Sequence, residues 1–439
     1  MRYNRIRISL CKLCCGHFVS YFGFHEWIYR ALMLLIFSLG MISFAKIVYY
    51  YLNNIGVAIS LMCFFAATPL LSFYAANFVP DTAALSFFLI SWYVLIKRNI
   101  QQKQRIVSWA IFFCLASLIK ITILIYLPGM LYLIYKNEET KKYIKQYYWS
   151  IGAIVILVFV WYFYAAQLSN ATESEVFLLR VAIVGSWKEF VEVYQEIESV
   201  WMSRLYHPFL TLTLFFIPVF SFVFFSKKDH FDYLAVLLWL GLVGFLLMMW
   251  PQLMHHDYYM ITLSIVFPIS LMLLCRKVMV WKAANVVVPL ILFALSIFQI
   301  VRTRDYMAEV YNKNNWQYGA LHADRYFDLE KELRSIGVKN SDKVISIYDH
   351  APNVSLYLMN QKGVTASFRE PKVGIPQYLS SRQFKYLIYN PFSEFGDVPF
   401  DPTTYPIKFI KEIYGIKVYS VNSYKIGRKQ KSFNLTPWN

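Results

Sequence analysis

Acidic residues, cysteines and nucleotide-binding motifs are scarce in this chain. It has 26 Asp and Glu residues against 43 Lys and Arg, and only 16% of its 439 residues are charged. No cysteine follows Cys275, which excludes a disulfide framework in the residues beyond it. Cys11, Cys14 and Cys15 lack a second pair of ligands and do not predict a zinc site. A Gly-rich phosphate loop, a nucleophile elbow and an HExxH sequence are all missing, which argues against the enzymes built on them.

Hydrophobic and aromatic residues dominate instead. They make up 58% and 19% of the chain, the mean hydropathy is +0.43, and soluble domains are closer to half apolar. The formal net charge of +17 could suggest nucleic-acid binding. The basic residues, however, lie in short loops between apolar runs, which is typical of membrane topology rather than of a phosphate-binding patch. The composition therefore predicts a polytopic α-helical membrane protein.

About ten segments are predicted to cross or half-cross the bilayer, since a crossing helix needs about 20 apolar residues. They are 29–51, 55–76, 81–97, 106–119, 121–136, 147–167, 207–226, 232–250, 258–275 and 283–301. Only Lys120 separates 106–119 from 121–136, and both are short. We expect a helical hairpin that turns inside the membrane, because such breaks are tolerated where they line an enclosed, wet cavity.

The basic loops predict the orientation. They contain Lys97, Arg98, Lys103 and Arg105; Lys136, Lys141, Lys142 and Lys145; Lys227 and Lys228; and Arg276, Lys277 and Lys282. Strict alternation places all four loops on one side, which the positive-inside rule identifies as cytoplasmic. The other side then holds the helix start at Asp81, Lys120, the loops 168–206 and 250–257, and the chain beyond residue 301.

The C-terminal part has a different pattern, because apolar runs shorten and Asp, Asn, Lys and Pro become more frequent. The predicted elements are a helix at 323–336 stopped by Gly337, strands at 343–348 and 385–389, a helix at 353–359, and two β-rich runs within 407–418. This predicts a small extracytoplasmic α/β domain with a partly parallel sheet. The predicted division is an N-terminal tail or loop remnant (1–28), a transmembrane domain (29–304) and the α/β domain (305–439).

Two charged residues stand where charge is costly. Asp81 follows Pro80 at a helix start, where a carboxylate either binds free amides or faces an outer cavity and positions a hydroxyl or a metal. Lys120 lies between two apolar half-crossings. It either extends to the lipid headgroups or binds the phosphate of a lipid-linked ligand, for which an ammonium at a helix break is well suited.

The loop before residue 258 supplies a second polar group, comprising His255, His256, Asp257 and Tyr258. Adjacent histidines on a regular element point in different directions, so a metal site would need ligands from elsewhere. A hydrogen-bonding site for sugar hydroxyls or phosphate is favoured over a metal site. An interfacial belt of aromatic and histidine side chains is the structural alternative.

Three further features face the same side. Arg204 and His207 precede the segment 207–226. Glu26 and Arg30 are four residues apart, the spacing of a structural ion pair on a helix. The loop 168–206 carries six glutamates and predicts a solvated amphipathic helix over the site.

Together these pieces resemble the polytopic GT-C glycosyltransferases, and most closely glycosyltransferase family 39, the protein O-mannosyltransferase-like and ArnT-like enzymes. The resemblance spans roughly residue 20 to the end. Its motifs are Asn77-Phe-Val-Pro-Asp81-Thr, Phe22-Gly-Phe-His-Glu26-Trp-Ile-Tyr-Arg30, Lys120-Ile-Thr, His255-His256-Asp257-Tyr258-Tyr259, Asp342-Lys-Val-Ile-Ser-Ile-Tyr-Asp349 and Ser355-Leu-Tyr-Leu-Met-Asn-Gln-Lys-Gly363.

The resemblance implies transfer of a sugar from a polyprenyl-phosphate donor to a lipid, protein or glycan acceptor at the outer face of a bacterial inner membrane. Protein glycosylation and lipopolysaccharide modification are the processes it suggests. On this interpretation Lys120 and Arg204 face the donor phosphate, and Asp81 is an auxiliary catalytic acid. The sugar or acceptor pocket is lined by His255, His256, Asp257 and Tyr258. No cofactor is required by the pattern, and a divalent metal remains open.

The N-terminus departs from the family pattern. Family members begin with one more helix and an outer loop bearing the main acidic motif, whereas residues 1–19 here contain no Asp or Glu. The tail is also basic on the side that alternation places outside. We therefore expect an N-terminally truncated chain that is inactive if the acidic loop is essential. A lipid-linked glycan flippase and a membrane glycan polymerase or ligase are the competing functions.

Overall fold

The structure, a computed structural model, describes residues 26–77, 79–172, 183–224, 229–254, 257–312, 324–347, 354–366, 379, 383–391 and 400–421. The chain divides into two compact units between Met307 and Ala308. The first is helical and apolar, and the second contains a β-sheet.

The first unit is built from helices that alternate with short breaks. In chain order they are α1 (Glu26–Leu52), α2 (Ile55–Ala66), α3 (Pro69–Ala75), α4 (Asp81–Ile96), α5 (Gln102–Ile119), a 3-10 turn (Ile121–Tyr126), α6 (Leu127–Lys136), α7 (Glu138–Lys141), α8 (Ile144–Thr172), α9 (Trp187–Glu196), a π-helical turn (Ile197–Trp201), α10 (Met202–Leu205), α11 (Pro208–Phe224), α12 (His230–Met249), a 3-10 turn (Trp250–Met254), α13 (Tyr259–Leu263), α14 (Val266–Val278) and α15 (Ala284–Val310).

Five helical stretches within the described residues are long and apolar enough to cross a membrane: Trp27–Leu52, Ile144–Gln167, His230–Leu253, Tyr259–Val278 and Ala284–Val310. The pair α2 and α3 makes a sixth if counted as one span, although it bends by 76°. The helices α4 and α11 and the stretch Ile121–Lys136 are apolar but shorter. The polytopic helical membrane fold is therefore confirmed, and all ten predicted segments contain helix. The number of crossings stays a prediction.

Small residues let the first two long helices pack closely. A Cβ placed on Gly40 of α1 would lie 2.5 Å from the Ser86 Cβ of α4, which is closer than two carbon atoms can approach. Close backbone approach of this kind is a common means of helix association in lipid. Ser86 is fully buried at this contact, and its hydroxyl donates to the Thr82 carbonyl at 2.7 Å. The packing fixes α4, whose first residue is Asp81, against α1.

The basic loops are anchored by charge pairs in which at least one side chain is buried. Asp229 caps α12 and forms a capping box with Asp232, whose carboxylate accepts a hydrogen bond from the Asp229 amide. Lys277 Nζ lies 2.8 Å from Asp232 Oδ2. Near the start of α5, Arg105 is 1% exposed, and its Nη2 lies 2.7 Å from Glu139 Oε2. These pairs hold helix ends together on the side that the sequence predicts to be cytoplasmic.

The second unit contains helices α16 (Asp324–Phe327), α17 (Leu329–Ser335) and α18 (Val354–Leu358) and a five-stranded sheet. The strands are β1 (Lys343–Ile347), β2 (Lys362–Ala366), β3 (Tyr386–Tyr389), β4 (Ile407–Ile413) and β5 (Ile416–Val421), in the order β2-β1-β3-β5-β4. Strand β1 pairs in parallel with β2 and β3, whereas β5 is antiparallel to β3 and β4. The predicted α/β domain with a partly parallel sheet is confirmed.

Strand β2 is not among the elements that the sequence pattern predicts. Gly363 sits opposite Val344 in the parallel pairing, and a Cβ on Gly363 would lie 2.0 Å from the Val344 carbonyl oxygen. Glycine is therefore required for β2 to approach β1. Because glycine and lysine are both depleted in strands, Lys362-Gly363 gives no strand signal when the sequence is considered alone.

Candidate active site

The first site residue, Asp81, begins helix α4 directly after Pro80, the N-cap residue. Its side chain is 4% exposed, and Oδ1 lies 2.6 Å from Lys120 Nζ. The helix-start position explains why a carboxylate is favourable there. The lysine contact shows that Asp81 is also the counterion of Lys120, which lies at the break between two apolar helical segments.

Lys120 ends helix α5 and precedes the 3-10 turn Ile121–Tyr126, so the predicted break is confirmed. Its backbone is extended (φ −142°, ψ 107°), which directs the side chain away from the continuing helix. The Lys120 ammonium lies 4.2 Å from the ring centre of Tyr259 and 5.1 Å from that of Tyr258. The backbone amide of Ile121 donates to the Tyr162 hydroxyl at 3.1 Å, which satisfies a donor that the break would otherwise leave unpaired.

A second ion pair joins helix α10 to the loop before helix α13. Arg204 lies in α10, and its Nη1 is 2.6 Å from Asp257 Oδ2, with the two side chains 13% and 7% exposed. The Tyr74 hydroxyl donates to the other carboxylate oxygen, Oδ1, also at 2.6 Å. The guanidinium lies over the Tyr306 ring at 5.6 Å. Asp257 is thus held from two directions by groups far from it in sequence.

The two ion pairs belong to one group, which we call the polar cluster: Tyr74, Asp81, Lys120, Arg204, Asp257 and Tyr258. Tyr258 connects them, because its ring contacts both the Lys120 ammonium and, edge-on at 6.3 Å, the ring of Tyr74. The Tyr126 hydroxyl donates to the Thr262 carbonyl at 2.8 Å and ties the turn after Lys120 to α13. The cluster is therefore assembled at the ends of several helices.

The cluster holds two cations and two carboxylates. Asp81 and Asp257 are 3% and 5% exposed, so their charges are largely removed from solvent. Burying one such charge alone would cost several kcal/mol, and each carboxylate offsets this by contact with a cation. The four formal charges sum to zero. An anionic ligand would have to share or displace a carboxylate to bind Lys120 or Arg204.

Several of the predicted site residues meet here, namely Asp81, Lys120, Arg204, Asp257 and Tyr258. His255 and His256 lie outside the described residues, as does the side chain of Glu26. The guanidinium of Arg30 donates to the Ala76 carbonyl at 3.5 Å. Sequence reasoning missed Tyr74 and Tyr306, since a tyrosine in an aromatic-rich chain gives no signal of its own.

The glutamate-bearing loop forms helix α9 within its described part. Val193 of α9 is buried, whereas Trp187 is 76% exposed, which gives the helix two unlike faces. The Phe190 ring stacks on the Trp250 ring at 4.8 Å, and Trp250 Nε1 donates to the Phe190 carbonyl at 3.2 Å. Helix α9 therefore packs on the turn that leads toward Asp257. Among the described residues no three His, Cys, Asp or Glu side chains are grouped closely enough to hold a metal ion.

Comparison with known proteins is consistent with this architecture. Residues 13–164 match the family model for dolichyl-phosphate-mannose-protein mannosyltransferase. That range includes Asp81, Lys120 and Tyr74 but not Arg204 or Asp257. A search of curated proteins finds no match.

Two solved structures share the fold. ArnT from Cupriavidus metallidurans, in a crystal structure bound to undecaprenyl phosphate, is 10% identical with a TM-score of 0.53, covering 94% of this chain and 88% of that one. The mycobacterial arabinofuranosyltransferase AftD is 12% identical with a TM-score of 0.52 and covers 94% of this chain. This chain spans 36% of AftD.

The apolar helices define a polytopic integral membrane protein, and its fold is shared with ArnT and AftD.

Proposed function

We propose that the protein is a membrane glycosyltransferase that moves a sugar from a polyprenyl-phosphate donor to an acceptor at the outer face of the membrane. The observation that carries the proposal is the polar cluster, which gathers two cations and two carboxylates at helix ends within a GT-C fold. The family match and the undecaprenyl phosphate bound to ArnT support a donor of this class.

Lys120 and Arg204 are the proposed ligands of the donor phosphate. A guanidinium has five N–H donors and an ammonium has three, so each can contact a carboxylate and a phosphate oxygen together. Both residues also lie against tyrosine rings, which restricts where their charges can move. Cations held in this way would stabilise the negative charge that develops on the leaving phosphate.

The carboxylates are the proposed acceptor-side groups. In the reaction an acceptor oxygen forms a bond to the anomeric carbon while the bond from that carbon to the phosphate oxygen breaks. The acceptor proton passes to a carboxylate, and the polyprenyl phosphate leaves with the bonding electron pair. Asp81, to which the resemblance gives only an auxiliary role, is the proposed proton acceptor. Asp257 and Tyr258, with His255 and His256, are the proposed sugar or acceptor contacts.

The proposed location follows from the distribution of basic residues. The loops rich in Lys and Arg are assigned to the cytoplasm, which directs the polar cluster and the α/β unit to the extracytoplasmic side of a bacterial inner membrane. Acceptors compatible with this location are a protein, a membrane lipid or a glycan, so protein glycosylation and lipopolysaccharide modification are the candidate processes.

The test is release of polyprenyl phosphate from a donor with a radiolabelled sugar, by the purified chain in liposomes supplied with acceptor. We expect acceptor-dependent release that Lys120→Ala abolishes. Lys277→Ala is the matched control, because Lys277 is also a mostly buried lysine paired with an aspartate. Movement of labelled donor across the bilayer without release would favour a flippase. Full activity of a folded Lys120→Ala protein would contradict the phosphate role.

A further inference from the structure

A second polar site lies at the other end of helix α12. A cleft of about 480 Å³ is lined by Tyr132 and Lys136 of α6 and by Asp229, His230 and Tyr233. The two helices pack closely beside it, because a Cβ on Gly129 of α6 would lie 3.1 Å from Leu238 Cδ2 of α12. The cleft is therefore formed where the ends of two packed helices diverge.

The charged residues that line the cleft are Lys136 and Asp229, and they do not pair with each other. The carboxylate of Asp229 is already occupied: Oδ2 lies 2.7 Å from both Arg276 Nε and Nη2, and Oδ1 accepts the backbone amides of Phe231 and Asp232. Lys136 is exposed, and its ammonium lies 5.9 Å from the ring centre of Tyr132. Among the described residues no carboxylate lies within ion-pair distance of this ammonium. An anionic group entering the cleft meets a cation without having to displace a carboxylate.

An apolar path leads away from the cleft along α12. Tyr233, Leu240 and Leu247 recur at seven-residue spacing on one face and are 44%, 60% and 66% exposed. In a membrane-crossing helix such a face contacts lipid acyl chains. The tyrosine hydroxyls and the lysine lie at the headgroup end of this face, which is where tyrosine and lysine are usually found.

The cleft is separate from the polar cluster. Helix α12 has 20 residues, and at 1.5 Å per residue it is about 30 Å long. The cleft lies at its N-terminal end, whereas Asp257 follows its C-terminal end. One phosphate group cannot reach both sites.

We propose that this cleft binds the headgroup of an anionic phospholipid of the cytoplasmic leaflet. Lys136 contacts the phosphodiester, the tyrosine and histidine side chains hydrogen-bond the headgroup, and the acyl chains follow the exposed face of α12. Such a lipid bridges the ends of α6 and α12. The proposal does not depend on the glycosyltransferase function, because it concerns the opposite end of the membrane unit.

The test is native mass spectrometry of the purified full chain in neutral detergent, titrated with phosphatidylglycerol, with phosphatidylcholine and with soluble glycerol phosphate. Lys136→Gln removes the cleft cation. Lys142→Gln is the matched control, because it removes the same charge from an exposed lysine of the same basic loop that does not line the cleft. Thermal unfolding of both variants verifies that they are folded.

We expect Lys136→Gln to weaken phosphatidylglycerol binding about tenfold, the effect of losing one charge-assisted hydrogen bond, and Lys142→Gln to weaken it by less than about twofold. Phosphatidylcholine should bind more weakly than phosphatidylglycerol. Equal losses in the two variants would mean general attraction to a basic surface and would overturn the site. Glycerol phosphate binding as tightly as the lipid would overturn the assignment to a lipid.

Discussion

The Asp81→Asn variant is expected to bind polyprenyl phosphate more tightly than the wild type while transferring sugar more slowly. Asp81 Oδ1 lies 2.6 Å from Lys120 Nζ, so the carboxylate competes with a phosphate for the same ammonium. Asparagine has nearly the same shape but no charge, and it removes that competition. Transfer falls because the variant lacks the carboxylate that we propose as proton acceptor.

The size of the effect follows from the electrostatics of the pair. Two unit charges about 4 Å apart at an effective dielectric constant of about 20 attract by about 4 kcal/mol. The phosphate recovers only part of this, because some of the attraction is offset by its own desolvation. A gain of about 1.4–2.8 kcal/mol in binding corresponds to a dissociation constant about 10–100-fold lower.

The measurement is titration of the purified protein with a short-chain polyprenyl phosphate, in parallel with the transfer assay. Asp232→Asn is the control, because the Asp232 and Lys277 side chains are 2% and 12% exposed, against 4% and 13% for Asp81 and Lys120. The control should leave phosphate binding unchanged. If folded Asp81→Asn binds the phosphate no better than the wild type, Asp81 and the donor do not share Lys120.

Three further outcomes are expected. Arg204→Lys should weaken donor-phosphate binding about tenfold in the same titration, because lysine keeps the charge but loses the planar fork of donors; unchanged binding would argue against contact. Tyr74→Phe removes a 2.6 Å hydrogen bond to Asp257 and should lower kcat/KM about fivefold, with no loss expected if Tyr74 only packs. In the α/β unit the hydrogen bond from Lys385 lowers the pKa of Asp342 below 3.8. The stability that this pair contributes is therefore complete above that pH and is lost as pH falls through the lowered pKa. Acidification should accelerate hydrogen exchange in β1 less in Lys385→Gln than in the wild type.

The helix ends of the cluster could be predicted from the sequence because charge is rare inside membrane segments. Asp81 after Pro80, and Lys120 between two apolar runs, are conspicuous for that reason. The structure brings these two residues into direct contact, which the sequence could not predict, because they lie 39 positions apart on different helices. The distribution of basic residues predicts that both lie on one side of the membrane but gives no distance between them.

The features that could not be predicted from the sequence have a common physical cause, which is tertiary contact. Tyr74 lies in an apolar run and acquires its partner through the 76° bend between α2 and α3. Strand β2 depends on a glycine that permits close approach to Val344, a requirement visible only once the strands are paired. Both features are set by tertiary contacts that override local propensity.

Stability of the empty protein and affinity for the donor place opposite demands on the cluster. Without ligand, Lys120 needs Asp81 nearby, because an unpaired charge in the apolar unit costs several kcal/mol. We therefore expect Lys120→Met and Asp81→Leu each to lower the unfolding temperature. The double variant should unfold at or above the temperature of either single variant, because it buries no unpaired charge. It should not bind polyprenyl phosphate. A double variant less stable than both singles would mean that the pair is retained for stability rather than for binding.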